Sequence, residues 1–210
     1  MNVVHLFTSL GPDESHRTPA DTARLLAEDA ELVANIRAGD EATFEQVYRT
    51  YHASMWEIAH RYMRDHDGAE DVVHDVFRMV WERRASLVVE GTLAVYLFGA
   101  VRHRALNVLR HTGVVRRAAD AFGSDDVPAL GTPPPRADAE AAVHDLERYV
   151  MRYVDALPER TRTLVLLRWR HRLSYPEIAA ALGMSTDAAK KLGQRVQQVL
   201  RPLLEELRTV

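Results

Sequence analysis

The chain has 210 residues, 47% of them hydrophobic, and a formal net charge of −3, enough apolar material for one large or two small packed domains. It has no cysteine, which excludes disulfides and thiolate zinc sites and suits a reducing compartment. The short apolar run near the N-terminus has no positive residue before it and meets Gly11-Pro12 too soon for a signal peptide. No stretch approaches the roughly 20 apolar residues of a membrane span, so a soluble, cytoplasmic protein without membrane insertion is expected.

The charge is unevenly distributed. Residues 1–90 hold 9 basic and 17 acidic side chains, net −8, whereas residues 156–210 hold 10 and 5, net +5. A basic C-terminal part suits a phosphate backbone, and the acidic N-terminal part implies a different partner. The ten histidines are scattered, and none forms an H-x-x-x-H pair beside a carboxylate, so neither a metal nor a cofactor is expected.

Residues 1–20, rich in breakers and polar groups, read as a disordered tail. A first helix is expected from Thr22 to Arg37, ended by Gly39-Asp40, and a second over the repeat Phe44, Val47, Tyr48, Tyr51, Met55, Ile58, up to about Met63. Asp65 to Gly68 reads as a turn. From Ala69 onward Val72, Val73, Val76, Phe77, Val80 and Trp81 give the cleanest helical periodicity in the chain. The opposite face carries Glu70, Asp71, His74, Asp75 and Arg78, which periodicity alone reads as a solvated face.

A further helix is expected from Thr92 to His111. Leu93, Tyr96, Leu97, Ala100, Val101, Ala105, Leu106 and Leu109 point inward, and Arg102, His103, Arg104, Asn107 and Arg110 form a basic strip. Tyr96 fits the buried stripe, whereas Phe98 lies off it, as an aromatic that could stack an unpaired base would. Residues 113–137, with Pro133-Pro134-Pro135, read as a flexible linker. Asp138 then caps a helix that ends near Leu157-Pro158, and another runs from Glu159 to His171.

Between Leu173 and Leu200 two short helices flank a glycine turn. Ser174 and Glu177 have the spacing of a capping box, Leu173 and Ile178 that of a hydrophobic staple, and Pro176 falls in the first turn. Gly183 ends the first helix and Ser185 caps the second, the arrangement of a helix-turn-helix. In the second helix Ala189, Leu192, Val196, Val199, Leu200 and Leu203 face a core, opposite Asp187, Lys191, Gln194, Arg195 and Gln198. With no strand-like alternation anywhere, the fold class expected is all-α, two helical domains joined by the linker.

Four stretches in order resemble bacterial sigma factors of the sigma-70 family, extracytoplasmic-function group. They are GDEATFEQVYRTYH (Gly39 to His52), GAEDVVHDVFRMVW (Gly68 to Trp81), YLFGAVRHRALNVLRH (Tyr96 to His111) and LPERTRTLVLLRWRHRLSYPEIAAALGMS (Leu157 to Ser185). The resemblance implies sigma domain 2 over residues 21–112 and sigma domain 4, with the helix-turn-helix, over 138–210. It implies core RNA polymerase as partner, through the β′ clamp helices and the β subunit, with Asp71, His74 and Asp75 at the clamp contact.

It further implies that Arg102, His103, Asn107 and Arg110 recognise and open the minus-10 promoter element. Lys190, Lys191, Gln194 and Arg195 would read minus-35 in the major groove. His74 stands where the family commonly has glutamine, His103 where it has asparagine, and Tyr96 where it has tryptophan. Gly193 falls on a usually apolar position and costs the helix about 1 kcal/mol relative to alanine. An anti-sigma partner is also implied, though many members are controlled otherwise. No nucleophile–base pair or phosphate-cradling glycine loop is visible, so a binding protein rather than an enzyme is expected. The alternative is a stand-alone helix-turn-helix regulator that does not load onto polymerase.

Overall fold

The computed structural model describes residues 19–111 and 139–207, with side chains placed for 20–111 and 148–201. Among these residues the chain is helical without strands: α1 (Pro19–Ala38), α2 (Glu41–Met63), α3 (His66–Glu82), a 3-10 turn at Arg84–Ser86, α4 (Leu93–His111), α5 (Ala139–Ala156), α6 (Glu159–Trp169), α7 (Tyr175–Leu182) and α8 (Thr186–Leu207). It divides into two compact units, the first built on α1 to α4 and the second on the C-terminal helices. The expected linker, the Asp138 cap and all but the last two residues of the expected tail lie outside the described residues. Those last two open α1, where Pro19 suits a first turn because its missing N–H has no intrahelical acceptor.

The first unit is shaped by how its helices begin. Asp40 caps α2, accepting from the Ala42 N–H at 3.0 Å and from the Thr43 hydroxyl at 2.6 Å. The Thr43 bond holds the Asp40 carboxyl below its ordinary range. Arg64, in the left-handed region at φ 59°, ends α2 by returning its N–H to the His60 carbonyl.

Residues 65–68, expected as a turn, instead start α3. The Asp65 carboxylate accepts the Gly68 N–H at 2.7 Å, and Asp67 follows in the first turn, so the acidic cluster acts as a cap and α3 runs for 17 residues.

The start of α4 depends on a residue far away in sequence. The buried Asp29 of α1 accepts the Leu93 N–H at 2.7 Å, while the buried Thr92 hydroxyl accepts the Val95 N–H at 3.3 Å. Together they satisfy two of the donors a helix N-terminus leaves open. Val47, Met55, Ile58, Val73, Val76, Leu97 and Val101 fill the space between α2, α3 and α4, each at most 2% exposed.

Phe98 is a correction. Expected off the stripe, it is fully buried and meets Tyr51 edge-on at a ring-centroid distance of 5.9 Å, while Tyr96 is only half-buried. The buried face of α4 (Leu93, Ala94, Leu97, Phe98, Val101, Ala105, Leu109) is rotated from the expected one toward the 94/98/105 positions.

In the second unit Val150, Val154, Leu157, Leu164, Leu167, Ile178, Leu192, Val196 and Leu200 form the core. α6 stops at Trp169, two residues short of expectation, where Arg172 takes φ 54° and the Leu173 N–H returns to the Leu167 carbonyl at 3.1 Å. Gly183 has φ 66°, and Ser185 caps α8 by accepting the Ala188 N–H at 3.2 Å.

The capping box of α7 takes a variant form. Glu177 accepts the Ser174 N–H as expected, but the Ser174 hydroxyl donates to the same carboxylate, both at 2.6 Å. Among the described residues no helix is long and apolar enough to cross a membrane.

Candidate functional site

The α2–α3 face carries a ladder of rings. Phe44, Tyr48 and His52, four residues apart on α2, meet Trp81, Phe77 and His74 on the antiparallel α3. Centroid distances are 4.8 Å for Phe44–Trp81, 4.7 Å for Tyr48–Phe77 and 6.1 Å for His52–His74. At one end of the ladder Glu41, Phe44, Tyr48, Phe77, Arg78 and Trp81 line an open groove. The periodicity places Trp81 in the core, but it is half-buried and forms part of that groove.

Polar groups border this aromatic strip on α3. Asp71 and His74 are exposed and Asp75 is half-buried. Asp75 is anchored on both sides, accepting from Arg78 one turn along at 2.5 Å and from Arg104 Nε of α4 at 2.9 Å. Arg104, expected on the basic strip, is thereby committed to Asp75. A pair this exposed, with 45% and 25% of the two side chains open to solvent, orients the carboxylate more than it stabilises the fold.

At the other end the two histidines share a carboxylate, a feature the H-x-x-x-H pattern could not reveal. His52 Nε2 lies 2.9 Å and His74 Nε2 3.3 Å from Glu70 Oε1, with the Tyr48 hydroxyl 3.2 Å from His74 Nε2. Burial, with the Glu70 charge adding, raises the Tyr48 hydroxyl above its ordinary value, so it remains protonated.

On α4, His103, Asn107 and Arg110 follow at i, i+4 and i+7 along one face. His103 and Arg110 are exposed, and half-buried Asn107 accepts from Arg110 Nη1 at 2.7 Å. Arg102 is half-buried on the adjoining side. On α8, Lys190, Lys191, Gln194 and Arg195 are all exposed, back to back with the buried Ala189, Leu192 and Val196. They form a two-turn polar face with donors for phosphates and base edges.

Behind that face Gly193 is buried against Tyr175 of α7. A Cβ built on Gly193 would lie 2.6 Å from Tyr175 Cε1 and 2.8 Å from Cζ, and would also clash with the hydroxyl oxygen. The Arg168 guanidinium covers the Tyr175 ring, 4.9 Å from its centroid, and donates to the Leu173 carbonyl at 2.9 Å. The departure at Gly193 therefore has a local cause: the helix gives up a side chain so that a tyrosine ring can pass its backbone.

The sigma-70 region 2 family matches residues 47–114, and the sigma-70 region 4 family matches residues 147–196. The first takes in α4 and all of the ring ladder but Phe44, the second α7 and α8 as far as residue 196, and together they cover more than half of the 210 residues. The chain belongs to the sigma-70 family, in its extracytoplasmic-function group.

Particular relatives are distant. The chain is 24% identical over 168 residues to the ECF RNA polymerase sigma factor SigX of Bacillus subtilis, covering 80% of this chain and 87% of SigX. It is 26% identical over 165 residues to the probable RNA polymerase sigma factor RfaY of Xanthomonas campestris, covering 78% of this chain but only 41% of that protein. Among solved structures, that of CnrH in complex with the cytosolic domain of CnrY is similar at 21% identity, covering 85% of this chain and 97% of that one, with a TM-score of 0.44.

Proposed function

We propose that this chain is a cytoplasmic sigma factor that loads onto core RNA polymerase and directs it to promoters through two separate DNA-reading units. The observation that carries this reading is the co-occurrence, in order, of the region 2 and region 4 matches with an exposed polar face in each unit. A stand-alone regulator needs the α8 face but leaves the α2–α3 face without a task.

In this reading residues 21–112 act as sigma domain 2 and 138–210 as sigma domain 4. Asp71, His74 and Asp75 meet the β′ clamp helices, with the aromatic groove at Phe44 and Trp81 adding apolar contact. Charge on such a face sets encounter rate and orientation more than affinity.

Arg102, His103, Asn107 and Arg110 engage the minus-10 element. Its bases cannot be read on their pairing edges inside a duplex, so a base must leave the stack at a cost of a few kcal/mol. Lys190, Lys191, Gln194 and Arg195 engage minus-35 from the major groove. The polymerase performs nucleotidyl transfer, and this chain contributes binding and strand separation, with an anti-sigma protein as a candidate regulator.

In vitro transcription with sigma-free core polymerase tests the reading. Promoter-specific transcripts are expected only when the chain is added. DNA binding without any gain in specific transcription would favour the stand-alone regulator.

A further inference from the structure

We infer that His52, Glu70 and His74 form a binding site for a divalent transition metal of the zinc class, bridging α2 and α3. Their ligand atoms, His52 Nε2, Glu70 Oε1 and His74 Nε2, lie within 4.8 Å of one another, and two of the three separations are 2.9 and 3.3 Å. A tetrahedral ion with bonds of about 2.0–2.1 Å requires ligand atoms about 3.3–3.4 Å apart. The His74–Glu70 separation of 3.3 Å already has that geometry, and the closer His52–Glu70 pair at 2.9 Å needs to open by about 0.4–0.5 Å to admit the ion.

The chemistry and placement agree. Two imidazoles and one carboxylate suit zinc, cobalt or nickel rather than magnesium or calcium, which prefer oxygen. Glu70 and His74 are one helical turn apart and share a face, while His52 comes from the facing helix, so the set bridges two packed elements rather than decorating one. The three side chains are 29%, 55% and 25% exposed, which leaves an entry path and room for water in the fourth position. The Tyr48 ring packs against His52 at a centroid distance of 4.8 Å, tilted by 38°, and limits its ring orientations. Metal ligation needs each Nε2 lone pair free, so a proton that His52 Nε2 donates to Glu70 leaves when the ion binds.

His74 also lies on the face proposed for polymerase, so an occupied site withdraws its Nε2 from that face. Metal and polymerase then compete for one ring. This consequence rests on the polymerase reading, whereas the site itself does not.

The test begins with the full chain, chelator-treated and titrated with Co²⁺. One equivalent should give the visible absorption of low-coordinate Co²⁺, and Zn²⁺ should bleach it. His52→Gln, Glu70→Gln and His74→Gln, with wild-type circular dichroism, should each weaken binding more than about tenfold, since even partners outside the coordination shell cost 10–100-fold. His111→Ala, on the exposed end of α4, should bind as wild type does. No absorption from the wild-type chain, or binding that survives all three Gln substitutions, overturns the site.

In a second arm Zn²⁺ should weaken the binding of wild-type chain to core polymerase but not that of His52→Gln. Unchanged affinity with a positive titration overturns the competition alone. Failure to bind polymerase even without metal is the failure of the polymerase reading, not of the site.

Discussion

The Tyr175 ring lies against the backbone of α8 at Gly193, in space that a Cβ would fill to within 2.6 Å of Cε1. Tyr175 is 4% exposed and its ring is covered by Arg168, so it has little room to retreat. Two forces therefore oppose each other in Gly193→Ala. Helix propensity favours alanine by about 1 kcal/mol, while overpacking a filled site costs about 1–3 kcal/mol. With the intruded atoms belonging to a held ring, the clash wins. Gly193→Ala is expected to lower the denaturant midpoint, and Tyr175→Leu/Gly193→Ala to recover most of the loss, as contacting residues couple non-additively. Additive single effects would show that the contact does not set this choice of residue.

A second prediction concerns Asp29, whose carboxylate caps α4 from α1. Removing it leaves the buried Leu93 N–H without that acceptor, at a cost of about 1–3 kcal/mol. Asp29→Ala should lose that much in equilibrium unfolding, and Asp29→Asn, which keeps an acceptor oxygen, should retain most of it. Equal losses in both variants would mean that charge rather than capping is what α4 needs.

How much of this was legible in the sequence follows from the range of the forces. The helix-turn-helix is written in local signals, and Gly183, Ser185 and the buried stripe Ala189, Leu192, Val196 fall where spacing puts them. Asp65 misled because an acidic-glycine cluster serves equally as a turn and as a cap, and only the hydrogen bond to Gly68 distinguishes them. Phe98 misled because α4 packs against both α2 and α3, and that tertiary packing rotates its buried face toward Ala94 and Phe98 and away from Tyr96 and Ala100. The Asp29 cap, the Arg104–Asp75 pair, the shared Glu70 and the Tyr175–Gly193 contact join residues from different helices, and no periodicity in a single chain records them.

His171 sets a pH dependence. Burial, with the Arg170 charge adding, pushes its imidazole down to about 4 from an ordinary value near 6.5, so it stays neutral in the folded protein. The unfolded chain takes up the proton first as pH falls. This contribution to stability is therefore full above about pH 6.5, declines through the interval down to about 4, and is gone below it. The slope from one such group is at most about 1.4 kcal/mol per pH unit. Urea unfolding at pH 7, 5.5 and 4.5 should show wild type losing stability relative to His171→Leu over that interval. Parallel curves would place the proton elsewhere.

The Asp75 anchor separates binding from stability. Because Asp75 and Arg104 are both partly exposed, Asp75→Ala should shift the unfolding free energy by less than about 1 kcal/mol. If the α3 face meets polymerase as proposed, Asp71→Ala/Asp75→Ala should nonetheless sharply reduce capture of core polymerase. Arg104→Ala, which keeps the carboxylate and its Arg78 bond and frees only Oδ2, should retain capture. Undiminished capture by the double variant removes these residues from the interface.

On α8 the exposed cations divide by chemistry. Lys191 offers a compact point charge suited to phosphate, whereas Arg195 offers a planar fork able to reach two acceptors on a guanine edge. In holoenzyme binding to minus-35 DNA, Lys191→Ala should weaken all sequences about equally and reduce the slope of log affinity against log salt by about 1. Arg195→Ala should cost about 1–3 kcal/mol on the preferred sequence and relax preference at one base pair, with less effect on sequences already altered there. Arg195→Lys should keep the salt slope but not the preference, because lysine restores the charge without the fork. A uniform loss from Arg195→Ala across all sequences, fully restored by lysine, would reassign Arg195 to the phosphate backbone and leave Lys190 and Gln194 as the α8 side chains to test for base reading.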